Sequence, residues 1–186
     1  MKDTAKLILV LTLICAVSSA LLAAVYNITK APIDVALERR KITAAAKVLP
    51  EGTSLPEKTV VGDETFFVVR KGGQLSAVAV EGRSKNGYGG EIVLMVGLSG
   101  DGRLVNYQEL VANETPGLGT KIESDTFRKP LLGRALNSDW RVKKDGGEVD
   151  AITAATISSR AALECIRDAI AKYQRATDAL KANAAP

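Results

Sequence analysis

The residues best suited to chemistry lie at positions 150–159, in the sequence DAITAATISS. Four hydroxyl side chains stand there, just ahead of a predicted C-terminal helix: Thr153, Thr156, Ser158 and Ser159. One interpretation is helix capping, because Ser, Thr and Asp side chains satisfy the free N–H groups of a first helical turn. The other is a phosphate site, because the same N–H groups and the helix dipole attract an anion. The second interpretation predicts one threonine placed to be esterified.

A second segment of interest is the glycine-rich stretch 114–121, which reads ETPGLGTK. Thr115-Pro116-Gly117 has proline and glycine where a type II turn needs them, so one interpretation is a simple turn. A glycine loop also lets the backbone approach a flat ring closely. The glycines at 87–90 do not form a GxGxxG or P-loop motif, and we interpret them as structural.

Composition excludes several kinds of site. The 186 residues contain no histidine, which removes haem His ligands, His-containing zinc sites and Ser-His-Asp triads. The two cysteines cannot supply the four thiolates of an ordinary iron–sulfur cluster. The net charge is only +4, and no basic stripe with interleaved aromatic residues is present, so nucleic acid is not an expected partner. Redox work would need an organic cofactor or a partner's metal.

The elements that must position these residues begin with an uncharged run at 7–26. Twenty residues at about 1.5 Å each span roughly the 30 Å hydrocarbon core of a bilayer, which predicts a single transmembrane helix. The alternative is a cleaved signal peptide with small residues at Ser18, Ser19 and Ala20. The apolar run continues past that point, which favours a retained anchor. Lysines and arginines on both flanks leave the orientation open.

The remaining pattern predicts an α+β domain. A juxtamembrane helix is expected at 33–48, between Pro32 and Pro50. Two hairpins of an antiparallel sheet are expected from strands at 66–70, 75–80, 92–98 and 104–111. A short helix should begin at 124–127, and residues 140–142 should form a further strand. The last element is a long helix at about 158–180, with an apolar face. We divide the chain into an anchor at 1–29, the juxtamembrane helix at 30–50 and a domain at 51–186.

Positions 150–158 resemble the flavinylation motif Asp-x-x-Ser/Thr-Gly-Ala-Thr-x-Ser/Thr. That motif belongs to the FMN-binding subunits of the Rnf electron-transport complex and of the sodium-translocating NADH:quinone reductase. Five of the six specified positions match, and at the sixth Ala154 stands in place of glycine. The six positions are Asp150, Thr153, Ala154, Ala155, Thr156 and Ser158. Upstream of this motif, the segments at 87–102 and 114–121 and then Trp140 occur in the same order as in the family. The similarity covers residues 85–175 and the anchor.

The resemblance implies a covalent cofactor. A separate flavin transferase would move FMN from FAD onto the Thr156 hydroxyl, forming a phosphoester. The cofactor-binding residues it implies besides Thr156 are Thr153, Ala154, Ala155, Ser158, Thr115, Gly117, Leu118, Gly119 and Lys121. Of these, Lys121 has two interpretations, as a solvated surface lysine or as a stabiliser of the phosphate or reduced flavin. Trp140 is interpreted as a core residue.

The resemblance also implies a place in a membrane complex. The family complex moves electrons between reduced ferredoxin and NAD, coupled to sodium or proton translocation, and its other membrane subunits would be the partners. The chain would be a relay without catalytic residues of its own or a metal. Its domain would lie on the periplasmic side of the inner membrane.

Within this family the chain is most similar to the G subunit of the Rnf complex, because the soluble part is short. The first alternative is the C subunit of the quinone reductase, which carries a longer insert. A second is an anchored scaffold module without flavin. A third is a stand-alone flavin reductase, for which no nicotinamide fingerprint is present.

Overall fold

The computed structural model describes residues 2–50 and 56–182. The chain divides into two compact units, Met1–Arg40 and Lys41–Pro186. The start of the domain that we predict at residue 51 lies outside the described residues, as do the chain ends at residues 1 and 183–186.

The first unit is helical, as part of α1 (Lys2–Val48). Its large apolar side chains are exposed, among them Leu7, Leu13 and Leu22. Such a surface is unfavourable in water and suited to lipid. Within the described residues this helix is the one long and apolar enough to cross a membrane.

The predicted break between two helices at Pro32 is wrong, because α1 continues through that residue. A proline inside a helix removes one backbone hydrogen bond and bends the helix, but it does not have to end it.

The second unit is built on a five-stranded antiparallel sheet in the order β1-β2-β3-β4-β5. The strands are β1 (Glu57–Val61), β2 (Glu64–Lys71), β3 (Gln74–Gly87), β4 (Gly90–Ser99) and β5 (Leu104–Val111). Each strand pairs with its neighbour in sequence, so the sheet is a meander. The two predicted hairpins are confirmed as β2–β3 and β4–β5, while the edge strand β1 was not predicted.

Both faces of the sheet are covered. On one face lies the long helix α3 (Thr156–Ala182), whose predicted apolar residues Ile166, Ala169 and Ile170 are buried against β3 and β4. Trp140 belongs to the same core, as predicted, and its indole N–H donates to the carbonyl of Leu136 at 3.1 Å. On the other face lie the last residues of α1. Burial from both sides explains the nearly continuous apolar sequence of β4.

Two glycines let the helices approach the sheet closely. A Cβ built on Gly97 of β4 would lie 2.0 Å from the carbonyl oxygen of Val48, at the end of α1. A Cβ on Gly82 of β3 would lie 1.9 Å from the carbonyl oxygen of Cys165 in α3. Any larger side chain at either position must push helix backbone away.

The segment between β5 and α3 is irregular. It contains the predicted short helix, α2 (Asp125–Arg128), and three 3₁₀ turns, Gly119–Glu123, Lys129–Leu131 and Lys143–Asp145. The strand predicted at 140–142 is wrong: Val142 forms only an isolated bridge with Val149. The surrounding residues carry charges and glycines, and no second pair of residues extends this bridge into a ladder.

Candidate functional site

An open cleft lies beside the first turn of α3. Its volume is about 460 Å³, which falls within the range of small-molecule sites. Three segments line it: the tip of the β3–β4 hairpin with Tyr88, the loop that includes Glu114 and Gly119, and residues 154–158. The two segments that sequence analysis singled out therefore meet at one cleft.

Thr156 is the first residue of α3 and lines this cleft. Its side chain is half-buried, and its Oγ1 accepts a hydrogen bond from Lys144 Nζ at 3.2 Å. Because it stands in the first turn, its neighbours present backbone N–H groups that lack helical partners. The hydroxyl is thus accessible from the cleft at the positive end of a helix dipole.

The other three hydroxyls are placed differently. Ser158 and Ser159 are buried. Ser158 donates to Glu114, whereas Ser159 donates to the Ala155 carbonyl at 2.9 Å and accepts from the Ile152 N–H at 3.0 Å. These bonds fasten the start of α3 to the segments before it. None of them is accepted from a first-turn N–H group of α3, as the capping interpretation requires. Thr153 is exposed and lines a different cleft.

Glu114 is a buried carboxylate at the base of the cleft, and sequence analysis gave it no role. Oε2 accepts from Ser158 Oγ at 2.5 Å, and Oε1 accepts from the Gly89 N–H at 3.2 Å. A Cβ on Gly119 would lie 2.3 Å from Oε2. One side chain therefore ties the hairpin tip and α3 to the glycine loop, and Gly119 is needed because no side chain fits against it.

The glycine loop is held by its own hydrogen bonds. The Thr115 carbonyl accepts from the N–H of Leu118 at 3.1 Å, and Gly117 adopts a positive φ of 75°. Thr115, Leu118 and Gly119 line the cleft. Gly117 is outside the lining and has the conformation of a turn residue.

Lys121 does not lie at this cleft. The 3₁₀ turn Gly119–Glu123 carries it to a second cleft of about 420 Å³, which it shares with Thr153 and Ser124. Residues 150–156 run between the two clefts. The lysine that contacts Thr156 is Lys144, for which sequence analysis gave no role.

Ala154 adopts a φ of 63°, and it is the only non-glycine residue with a positive φ in the described part of the chain. Left-handed backbone at alanine costs about 1–2 kcal/mol, because its Cβ crowds the neighbouring carbonyl. The motif that this segment resembles has glycine at this position. The chain therefore keeps the backbone shape that glycine would permit and carries the strain.

Known proteins share both the sequence and the fold of this domain. Residues 87–171 match the FMN-binding domain family. The G subunit of the ion-translocating oxidoreductase complex of Haemophilus influenzae is 33% identical over 167 residues, covering 81% of this chain and 79% of the relative. The G subunit from Pseudoalteromonas atlantica is 30% identical over 191 residues, covering 92% of this chain and 89% of the relative. The chain belongs to this G-subunit family. The resemblance predicted from the motifs is confirmed.

A solved structure shares the fold of this G-subunit family member. The C subunit of the Na⁺-translocating NADH-quinone reductase from Parabacteroides distasonis superposes with a TM-score of 0.55 at 18% identity, covering 74% of this chain and 89% of that one. At this identity the likeness concerns the fold alone.

The FMN-binding domain match spans every segment that lines the cleft. It also includes three residues that sequence analysis did not single out: Tyr88, Lys144 and Ile157. Tyr88 is 71% exposed and Ile157 is 47% exposed, so the cleft opens between apolar groups. A tyrosine amid glycines at a hairpin tip was the available signal for Tyr88. For Lys144 no sequence spacing pointed to Thr156.

Proposed function

We propose that this chain is a membrane-anchored electron-transfer subunit of an ion-translocating oxidoreductase complex, and that it carries FMN on Thr156 through a phosphoester bond. The observation that supports this most is the difference among the four hydroxyls. Thr156 opens onto the cleft at the start of α3, and Thr153 lines the second cleft. Ser158 also lines the first cleft, but it is buried and donates to Glu114, and Ser159 is buried and donates to the Ala155 carbonyl.

The residues of the cleft suit such a group. The first turn of α3 offers N–H groups to a phosphate, and the glycine loop brings backbone close to the space where a ring would lie. Tyr88, Leu118 and Ile157 supply exposed apolar surface at the cleft. When bound, FMN supplies reversible electron exchange, while this chain tethers it and sets the polarity around it.

Attachment requires one transfer reaction. In it, Thr156 Oγ1 forms a bond to the FMN-side phosphorus of FAD, the bond from that phosphorus to the AMP oxygen breaks, and AMP leaves. The hydroxyl proton passes to a base of the flavin transferase. Nothing is oxidised or reduced, so the cofactor enters in the oxidation state that FAD had.

The remaining parts of the proposal concern location and partners. Residues from Lys30 onward would lie on the periplasmic side, and the other membrane subunits of the complex would exchange electrons with the flavin. The high coverage of the G-subunit relatives supports this complex over the quinone reductase. A reporter fused after Pro186 should be active only in a form that works outside the cytoplasm; activity confined to a cytoplasmic reporter would contradict this orientation.

The direct test is co-production of the full chain with a flavin transferase, followed by denaturing electrophoresis and intact mass measurement. The band should fluoresce, and the mass should rise by one FMN less one water. Thr156→Ala should lose both signals, and Thr156→Ser, which keeps a hydroxyl, is the matched control. A colourless, unmodified native chain would favour the scaffold alternative.

A further inference from the structure

The cations around Thr156 are not equivalent. Lys143 Nζ pairs with Asp150 Oδ2 at 2.8 Å. Arg160 makes two hydrogen bonds to Asp145, at 2.6 and 2.7 Å, and this pair lowers the pKa of Asp145. Lys144 forms no ion pair with any residue that the structure describes, and its contact is with Thr156 Oγ1 at 3.2 Å. The ammonium group of Lys144 therefore lies beside the Thr156 hydroxyl without a carboxylate partner among the described residues.

Ion pairs on both neighbours of Lys144 hold the turn that carries it. Lys144 stands in the middle of the 3₁₀ turn Lys143–Asp145, between the two residues that make the ion pairs. Their partners, Asp150 and Arg160, flank the segment that holds Thr156. The Lys143 N–H also donates to the Val149 carbonyl at 2.8 Å. The backbone under Lys144 is therefore held beside Thr156, while its ammonium group stays free to turn.

We propose that Lys144 binds the phosphoryl group at Thr156. This inference rests on the function proposed above. Once Oγ1 is bonded to phosphorus it becomes a weak acceptor, whereas the non-bridging phosphoryl oxygens, attached to the same phosphorus, are charged and strong acceptors. The Lys144 ammonium then moves its hydrogen bond from Oγ1 to one of these oxygens.

The same contact assists the transfer reaction. As the Oγ1–phosphorus bond forms and AMP departs, negative charge accumulates on the non-bridging oxygens. A nearby ammonium stabilises that charge, and it does so with little rearrangement because the turn is already in place. Lys143 and Arg160 cannot substitute, since each is engaged with a carboxylate.

The test compares two adjacent lysines in the full chain. Lys144→Gln and Lys143→Gln remove the same charge from the same turn, and only the first removes the contact with Thr156. With purified flavin transferase and FAD at low salt, covalent FMN should form about tenfold more slowly on Lys144→Gln, in line with the loss of one charge-assisted hydrogen bond. Lys143→Gln should stay within about twofold of the native rate, because an exposed ion pair contributes little and the Lys143 N–H bond to Val149 and the Arg160–Asp145 pair still hold the turn. Lys144→Arg, which keeps the charge, should stay close to the native rate.

A second measurement does not depend on the transferase. In the finished flavoprotein, the ³¹P resonance of the phosphoester should shift in Lys144→Gln and remain unchanged in Lys143→Gln. Equal rates for the native chain and Lys144→Gln, equal slowing by both variants, or an unmoved ³¹P resonance in Lys144→Gln would each overturn the role of Lys144. Failure of the native chain to accept FMN on Thr156 would instead overturn the proposed function.

Discussion

Glu114 accepts a 2.5 Å hydrogen bond from the hydroxyl of Ser158, and both side chains are buried. This bond joins the glycine loop to the first turn of α3, two residues after Thr156. Through the Gly89 N–H, the same carboxylate also holds the β3–β4 hairpin tip. The shape of the cleft therefore depends on one carboxylate that receives donors from two other elements.

Ser158→Ala should destabilise the domain, because it removes a donor from a buried carboxylate. The expected loss is about 1–3 kcal/mol in the free energy of unfolding. Thr153→Ala, which alters an exposed hydroxyl in the same segment, should change it by less than about 0.5 kcal/mol. Urea unfolding monitored by Trp140 fluorescence measures both. Equal effects of the two substitutions would show that the Ser158–Glu114 bond contributes nothing.

Ala154→Gly should stabilise the fold by about 1 kcal/mol, because glycine adopts a φ of 63° without crowding its Cβ. Attachment of FMN should persist in this variant, since the backbone shape is retained. The neighbouring substitution Ala155→Gly is the control. Ala155 is buried and lies outside the left-handed region, so glycine there should lower stability. A destabilised Ala154→Gly would contradict the strain inferred at this position.

Much of the fold could be predicted because its elements have clear periodicity. Strands β2 to β5 show short β-branched and aromatic runs bounded by glycine turns, and α3 shows an apolar face. The edge strand β1 was missed because Glu57–Val61 is short and mostly exposed. The 140–142 strand was wrong since local composition does not reveal whether a partner strand exists.

The site could be predicted only where it is contiguous in sequence. Residues 154–158 form one continuous segment and the glycine loop forms another. The sequence motif and the predicted start of the helix were therefore enough to identify them. Lys144 and Thr156 are joined across an irregular loop, and no periodicity relates their positions. The two interpretations of Lys121 could not be separated from sequence, because the direction in which a 3₁₀ turn carries a side chain cannot be read from composition.

The end of α1 should be required by the domain. Ala44, Ala45, Val48 and Leu49 are buried against one face of the sheet. A chain beginning at Lys41 keeps this cover and should be soluble, monomeric and cooperatively folded. A chain beginning at Glu51 loses burial worth on the order of 5 kcal/mol and exposes Phe67, Val69 and Met95, so it should aggregate. Size-exclusion chromatography of the two chains decides this, and equal behaviour would contradict it.

Glu81 should link stability to pH. Burial raises the pKa of this carboxyl, but hydrogen bonds and charges from Lys41 and then Arg83 outweigh burial, and the net pKa is lowered from 4.5. A lowered native pKa contributes stability above about pH 4.5, and this contribution is lost as the pH falls through the native value.

Glu81→Gln should therefore cost on the order of 1 kcal/mol at pH 7, and the difference from the native chain should shrink below about pH 4.5. Thermal unfolding between pH 3 and 7 provides the measurement. The matched control is Glu91→Gln, which alters a more exposed carboxylate 3.6 Å from Arg83 and should produce a smaller gap. A stability difference between the native chain and Glu81→Gln that widens at low pH would contradict the lowered pKa of Glu81.

The most direct test of the central claim is the location of FMN on the chain. Trypsin should release residues 145–160 as one peptide that contains all four hydroxyls: Thr153, Thr156, Ser158 and Ser159. Electron-transfer fragmentation keeps a phosphoester in place while it cleaves the backbone, so each candidate gives a distinct fragment series. We predict that every fragment containing Thr156 carries the added mass of one FMN less one water, and that fragments ending before it do not. FMN on Thr153, or an unmodified peptide from chain produced with an active flavin transferase, would contradict the account.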